Sequence, residues 1–213
     1  MLRLLGFFLF CLSLPFPSKG QDSLRLGQPW LSSLPVANQI EFDSEGNLFL
    51  LNSEGGKLYK YLALANYDSL ISLGGLINRS EGLLHPLRLV IRNRQNLYVL
   101  DDVQRRILHL NPNLRLLGQI DFRDLEDPQQ GIEEMFPVDF GLSSAGEYFL
   151  LNQFDNKVYK LNLFGEVETV FGGADYGEGS FYEPGQLAVT AKNEVFVSDT
   201  ATQELLVYNY FGI

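Results

Sequence analysis

Between Pro137 and Gly173 the chain alternates apolar and polar positions in four short runs: Phe140 to Leu142, Tyr148 to Leu151, Val158 to Leu161 and Val167 to Phe171. The runs are rich in aromatic and branched residues, and Ser-Ala-Gly, Asn-Gln-Phe-Asp-Asn and Phe-Gly separate them. Successive side chains of a strand point to opposite faces, and Gly, Asn and Asp suit the tight turns between strands. The stretch therefore predicts a four-stranded antiparallel meander.

Three other segments overlay on this one without gaps through their first three strands. Pro137 corresponds to Ala37, Pro86 and Pro184, and ten residues later stand Asn47, Asn96, Glu147 and Glu194. Five further on come Asn52, Asp101, Asn152 and Asp199, and after another five Lys57, Arg106, Lys157 and Glu204. Only the links between copies vary in length. Four strands recurring every ~40 to 50 residues are the signature of a β-propeller. In the fourth copy Phe211-Gly212 takes the place of Phe164-Gly165, so Ile213 stands one residue into where the outermost strand is due. Asp22 to Gly27, DSLRLG, is similar to the outer strands DSLISLG and NLRLLG of the first two copies. It is expected to complete the fourth blade and protect its edge.

The passage from Phe171 to Gly212 has a Gly-rich link, a proline opening the inner strand, an apolar-x-apolar core and a Val-x-Asp turn at Val197 to Asp199. In these features it resembles the NHL-repeat family of propellers, and the resemblance extends over residues 37 to 212. The earlier copies depart from it, with Asn at 52 and 152 and Ala at 37. The Gly-His and Trp-Asp markers of WD40 blades and a kelch pattern are absent. The resemblance implies a usual count of six blades. The expectation is therefore an all-β propeller with four visible blades, at 37–75, 86–122, 137–173 and 184–213, as a fragment or incomplete ring of a six-bladed one.

Residues 1 to 20 place Arg3 before an apolar stretch, Leu4 to Phe16, and end small-x-small at Ser18-Lys19-Gly20. This reads as a secretory signal cleaved before Gln21, and the apolar stretch is shorter than the ~20 residues of a membrane span. The expected location is the periplasm, the cell surface or the medium, with no integral span after cleavage. The whole chain carries 16 basic and 26 acidic residues, a net charge of −10. Cleavage removes Arg3, Lys19 and the only cysteine, Cys11. Such an acidic chain is unsuited to nucleic acid or anionic membrane, which need basic patches.

Candidate chemistry is sparse. Two residues beyond the Pro137 position stand Gln39, Arg88, Asp139 and Gln186, where inner strands open onto a propeller channel. They form a possible ring of donors and acceptors for a polar ligand, with Arg88 suited to a carboxylate or phosphate. The alternative is that they pair across blades. The Asn52, Asp101, Asn152, Asp199 series is read as turn capping. The acidic link Phe122 to Phe136 lacks the ligand spacing of a calcium loop. His85 and His109 fall in different parts of a blade, and zinc catalysis commonly uses two or three His ligands. Trp30 reads as a plug between blades, and Asn78-Arg79-Ser80 fits a glycosylation sequon. Tyr176, Phe181 and Tyr182, in the Gly-rich link, are candidate anchors for a partner, the alternative being that they pack between the third and fourth copies.

These observations assign no catalytic residue, metal or cofactor. They point to a non-catalytic module binding a protein, peptide or glycan through its links and channel mouth. The enzyme alternative is a calcium-type hydrolase or lactonase, or a lyase, centred on Asp139 with Gln39 and Gln186.

Overall fold

The computed structural model describes residues 34–74, 82–127 and 131–213. Alternating side chains form strands where the repeat puts them. The first sheet contains β1 (Gln39–Phe42), β2 (Leu48–Asn52), β3 (Lys57–Tyr61) and β4 (Leu70–Gly74). The second contains β5 (Pro86–Ile91), β6 (Leu97–Asp101), β7 (Arg106–Leu110) and β8 (Leu116–Asp121). The third contains β9 (Pro137–Leu142), β10 (Tyr148–Asn152), β11 (Lys157–Leu161) and β12 (Val167–Phe171). The fourth contains β13 (Pro184–Val189), β14 (Val195–Asp199) and β15 (Glu204–Tyr208), three strands among the described residues. Every sheet is an antiparallel meander in sequence order, and together they make a four-bladed β-propeller.

Registers repeat from blade to blade. Asn52 lies opposite Lys57, Asp101 opposite Arg106, Asn152 opposite Lys157 and Asp199 opposite Glu204. The turn between these strands has one position of positive φ in every blade: Gly56 (57°), Arg105 (55°), Asn156 (54°) and Gln203 (61°). Only the first is a glycine. The turn geometry is shared although the residue that most cheaply adopts it is not.

Each of the first three blades packs one face, here called trailing, on the leading face of the next. Phe49, Leu51 and Leu58 of the first blade meet Leu89, Leu97, Val99 and Leu108 of the second. Tyr98, Leu100 and Ile107 meet Phe140, Tyr148, Leu150 and Tyr159 of the third, sealed by Phe122, Ile132 and Met135 from the link. Phe149, Leu151, Val158 and Phe171 meet Leu187, Val195, Val197 and Tyr208 of the fourth. Full burial of one such side chain stabilises by ~1.5–3 kcal/mol. At the third junction a Cβ on Gly141 would sit 2.5 Å from Val189 Cγ2, so the bare backbone is what lets β13 approach β9.

Residues 35–213 form this one unit, distinct from residues 1–34. The signal sequence, Cys11, the Asp22 to Gly27 strand, Trp30 and the sequon at Asn78 lie outside the described residues. Among the described residues no helix is long and apolar enough to cross a membrane.

Candidate functional site

The four channel-mouth residues occupy one position of the inner strands and divide by what they touch. Gln39 reaches the next blade, accepting from Leu89 N at 2.7 Å and donating from Nε2 to Leu89 O at 2.9 Å. Asp139 repeats the gesture two junctions on, its Oδ2 accepting from Leu187 N at 2.8 Å and its Oδ1 from Phe140 N at 2.8 Å. Between them Arg88 points its Nε at Asp139 Oδ1, 3.4 Å away. Three of the four therefore stitch neighbouring blades together. Gln186 is exposed, and its backbone N–H donates to Ser198 Oγ at 2.9 Å.

Burial pushes the Asp139 carboxyl above the ordinary aspartate range, against the pull of the Leu187 N–H, the Arg88 charge and the Phe140 N–H. Both carboxylate oxygens face protein donors, so the residue is better placed to hold two blades than to meet a ligand. Gln39 is committed in the same way. The lactonase-like trio thus has Asp139 buried, Gln39 half-buried and hydrogen-bonded to the next blade, and Gln186 exposed.

The Asn and Asp series performs a different structural task. Each side chain sits at the turn between second and third strands, and in the last three blades it captures the link that enters its own blade. Asp101 accepts from Leu84 N at 2.7 Å, Asn152 from Phe136 N at 2.7 Å, and Asp199 from Tyr182 N at 3.0 Å and Glu183 N at 2.9 Å. Burial alone would raise the Asp199 carboxyl, but donors from Glu183, Tyr182, Ala201 and Thr202 outweigh it and hold it below its ordinary range. In the first blade, among the described residues, Asn52 caps its own turn, through Gly55 N at 2.6 Å. The turn-capping expectation described only this local part of the role.

These bonds pin the backbone beside side chains that project outward at the end of the propeller where links enter. Val103 and Phe154 stand on the turns of the second and third blades, and Phe136 and Tyr182 end the two following links; all four are exposed. The Arg105 guanidinium lies 4.3 Å from the Phe136 ring centre, and Asn156 Nδ2 donates to Tyr182 O at 2.7 Å. Tyr176 is exposed along its ring while its hydroxyl donates to Gly212 O at 2.5 Å. Beside it a hollow of about 480 Å³ opens among Asp155, Lys157, Ala174, Asp175 and Tyr176. Phe181 must be corrected: it is fully buried against Tyr208 and the third-junction core, so it plugs the blades and is not on the surface. Its apolar neighbours come from residues distant in sequence, which local pattern does not reveal.

The turns and links that carry these side chains hold more carboxylates than bases, with His85 facing Asp102 and Lys157 lying 3.9 Å from Asp155. Glu133, Glu134, Asp175, Glu178 and Glu183 are exposed, while Asp102 and Asp155 are half-buried at the turns. Phe136, Phe154 and Val103 were missed by sequence reasoning. Phe154 and Val103 share one repeat position with Glu54 and Ala201, a position that the turn points outward in every blade.

The histidines do not converge. His85 Nδ1 lies 2.8 Å from Asp102 Oδ1, whereas His109 stacks on Tyr98 at 4.5 Å with Nε2 2.6 Å from Asn96 Oδ1, and burial lowers its pKa. Among the described residues no three His, Cys, Asp or Glu side chains gather as a metal centre requires.

The solved structures to which the fold is similar are propellers of varied activity. They include virginiamycin B lyase from Staphylococcus aureus, 11% identical with a TM-score of 0.51, covering 80% of this chain and 54% of that one. The WD40 β-propeller domain of Doa1 is 12% identical with a TM-score of 0.52, covering 77% and 47%. The Myceliophteria thermophila Cps50 (Swd1) β-propeller domain is 15% identical with a TM-score of 0.56, covering 79% and 49%. This chain therefore spans about half the length of the structures it matches. No protein-family model and no curated protein matches the chain. At these identities the likeness establishes the class, a β-propeller, and no more.

Proposed function

We propose that this chain is an exported NHL-type propeller that works by binding, taking a cationic, apolar-containing protein or peptide segment on the end where its links enter. The observation that carries this reading is the exposure of Val103, Phe136, Phe154, Tyr182 and Tyr176 on turns and links that are rich in carboxylates. Exposed aromatic side chains on pinned backbones make good anchors, because little conformational freedom is lost when they are covered. The carboxylates favour a basic partner and discourage nucleic acid. The commitment of Gln39, Arg88 and Asp139 to blade junctions supports this surface over the channel mouth.

The test is a set of short Lys- and Arg-rich peptides, each with one aromatic or aliphatic anchor, titrated against the purified chain and against a Phe154→Ala, Tyr182→Ala double variant. Binding that weakens about tenfold or more in the variant (~1.4 kcal/mol or more), and that falls with added salt, is expected. Equal affinity for wild type and variant, or a preference for acidic versions of the peptides, would count against it.

A further inference from the structure

The repeat supplies an internal standard for what stands beside a blade junction. Ile120 in β8 lies opposite Ile107, and Phe171 in β12 lies opposite Val158, so the two hold one position in consecutive blades. Each packs against a turn glycine of the blade that follows. A Cβ on Gly165 would sit 3.4 Å from Ile120, and one on Gly212 would sit 2.5 Å from Phe171. Five residues further along the chain stand Leu125 and Tyr176, preceded by Asp124 and Asp175. Tyr176 donates its hydroxyl to Gly212 O at 2.5 Å. Leu125 packs on the core of the second junction, and among the described residues no side chain donates to Gly165 O. A hollow of about 470 Å³ opens there, lined from both blades by Ile120, Asp124, Leu125, Phe164, Gly165 and Glu166 among others. The hollow beside Tyr176 is lined by the third blade and its link alone. Two aromatic residues of the third junction thus have smaller aliphatic counterparts at the second, and the glycine carbonyl is left without its hydroxyl.

We propose that this hollow receives a tyrosine side chain from a basic segment of a partner protein, a class of partner that rests on the binding reading above. The ring lies on Ile120 and Leu125 beside Phe164, which is 87% exposed. Its hydroxyl donates to Gly165 O as that of Tyr176 donates to Gly212 O. A tyrosine suits such a place because it combines a large apolar body with one polar tip. A lysine or arginine next to it in the segment faces Asp124 and Glu166, both exposed, one from the link and one from the third blade. Asp121, on the same wall, is already held by Arg123, whose Nε donates to its Oδ1 at 2.7 Å. Among the described residues no three acidic or histidine side chains gather closely enough for a metal ion, so these carboxylates suit an extended organic cation. An acidic segment would meet like charge on both walls.

Blocked tripeptides Lys-Tyr-Lys, Lys-Phe-Lys and Glu-Tyr-Glu, titrated against the full chain by NMR, are short enough to read the hollow apart from the wider surface. Lys-Tyr-Lys is expected to bind about tenfold tighter than Glu-Tyr-Glu, and several-fold tighter than Lys-Phe-Lys, which lacks the donor. An Ile120→Phe, Leu125→Tyr double variant copies the third junction into the second, and by filling the hollow it is expected to weaken Lys-Tyr-Lys about tenfold or more. Asp124→Lys with Glu166→Lys, at two exposed positions, is expected to weaken it similarly and keeps the test open should the filled variant fail to fold. The Phe154→Ala, Tyr182→Ala variant is expected to bind Lys-Tyr-Lys as the wild type does. Equal binding of the three tripeptides, undiminished binding by the folded filled variant or by the charge-reversed one, or no binding of Lys-Tyr-Lys by the wild type overturns the inference. So does a loss confined to the Phe154→Ala, Tyr182→Ala variant, an outcome that leaves the wider binding surface standing.

Discussion

Val158 and Leu205 stand at the same place in consecutive blades, both branched and both second in their strand, yet one is sealed and the other faces solvent. Nothing in the immediate sequence separates them. What differs is that, among the described residues, a blade packs on the first and none on the second, so burial here belongs to the stacking and not to the residue. The same contrast separates Phe140 from Ile40 and the engaged Asp139 from the exposed Gln186. A position in this protein has two energetic values, one at a junction and one on an outer face.

The largest expected break in that comparison is Phe140→Ala against Ile40→Ala. Loss of a fully buried aromatic ring with its cavity costs ~3–5 kcal/mol, whereas the exposed counterpart in a monomeric sample stays within about 0.5 kcal/mol. Urea denaturation of both variants gives the difference, and equal losses would mean that the first blade's leading face is covered in solution. Leu58→Ala against Leu205→Ala sharpens the trailing side, with ~2–5 kcal/mol expected for the first and about 0.5 kcal/mol or less for the second.

A smaller contrast concerns the polar stitch. Asp139→Ala leaves the Leu187 N–H at a buried junction without its acceptor and should cost ~1–3 kcal/mol. Gln186→Ala should be nearly silent in the monomer. If both variants melted alike, the stitch would have no part in holding blades three and four together.

The smallest effect is a pH dependence of opposite sign at two aspartates. Asp199 is held below its ordinary value of 3.8, so its contribution is present above that value and is lost as pH falls through the lower folded one. Asp139 is raised above 3.8, so the native state keeps its proton longer, and its contribution is lost as pH rises through the folded value. Thermal melts of wild type, Asp199→Asn and Asp139→Asn across the acid range should therefore differ in slope below and just above pH ~4. Asp199→Asn is expected to flatten the acid decline, and Asp139→Asn to remove a loss on the alkaline side of it. Parallel curves for all three chains would refute the assignment.

Much of the candidate surface escaped the sequence for a physical reason. Tyr176 and Tyr182 were legible because aromatic residues in a Gly-rich link stand out. Phe181, between the same neighbours, looked no different from them, and its burial depends on Tyr208, which lies in another strand. Phe154 lay in the Asn-Gln-Phe-Asp-Asn separator and Val103 at the equivalent place, where local pattern gives an apolar side chain no direction; the left-handed turn at Asn156 and Arg105 belongs to the corner that leaves them exposed. The role of Asp139 required knowing that Leu187 N–H arrives from the next blade.

The sequence by itself determined the strands, their order and the repeat of four blades at constant offsets. Alternation and turn chemistry are local, and four copies at constant offsets reinforce one another. Only the tertiary structure decided which equivalent positions are core and which are surface, and which polar groups are occupied. Those outcomes depend on whether a neighbouring blade covers a face, a relation between residues some 50 positions apart that no single repeat contains.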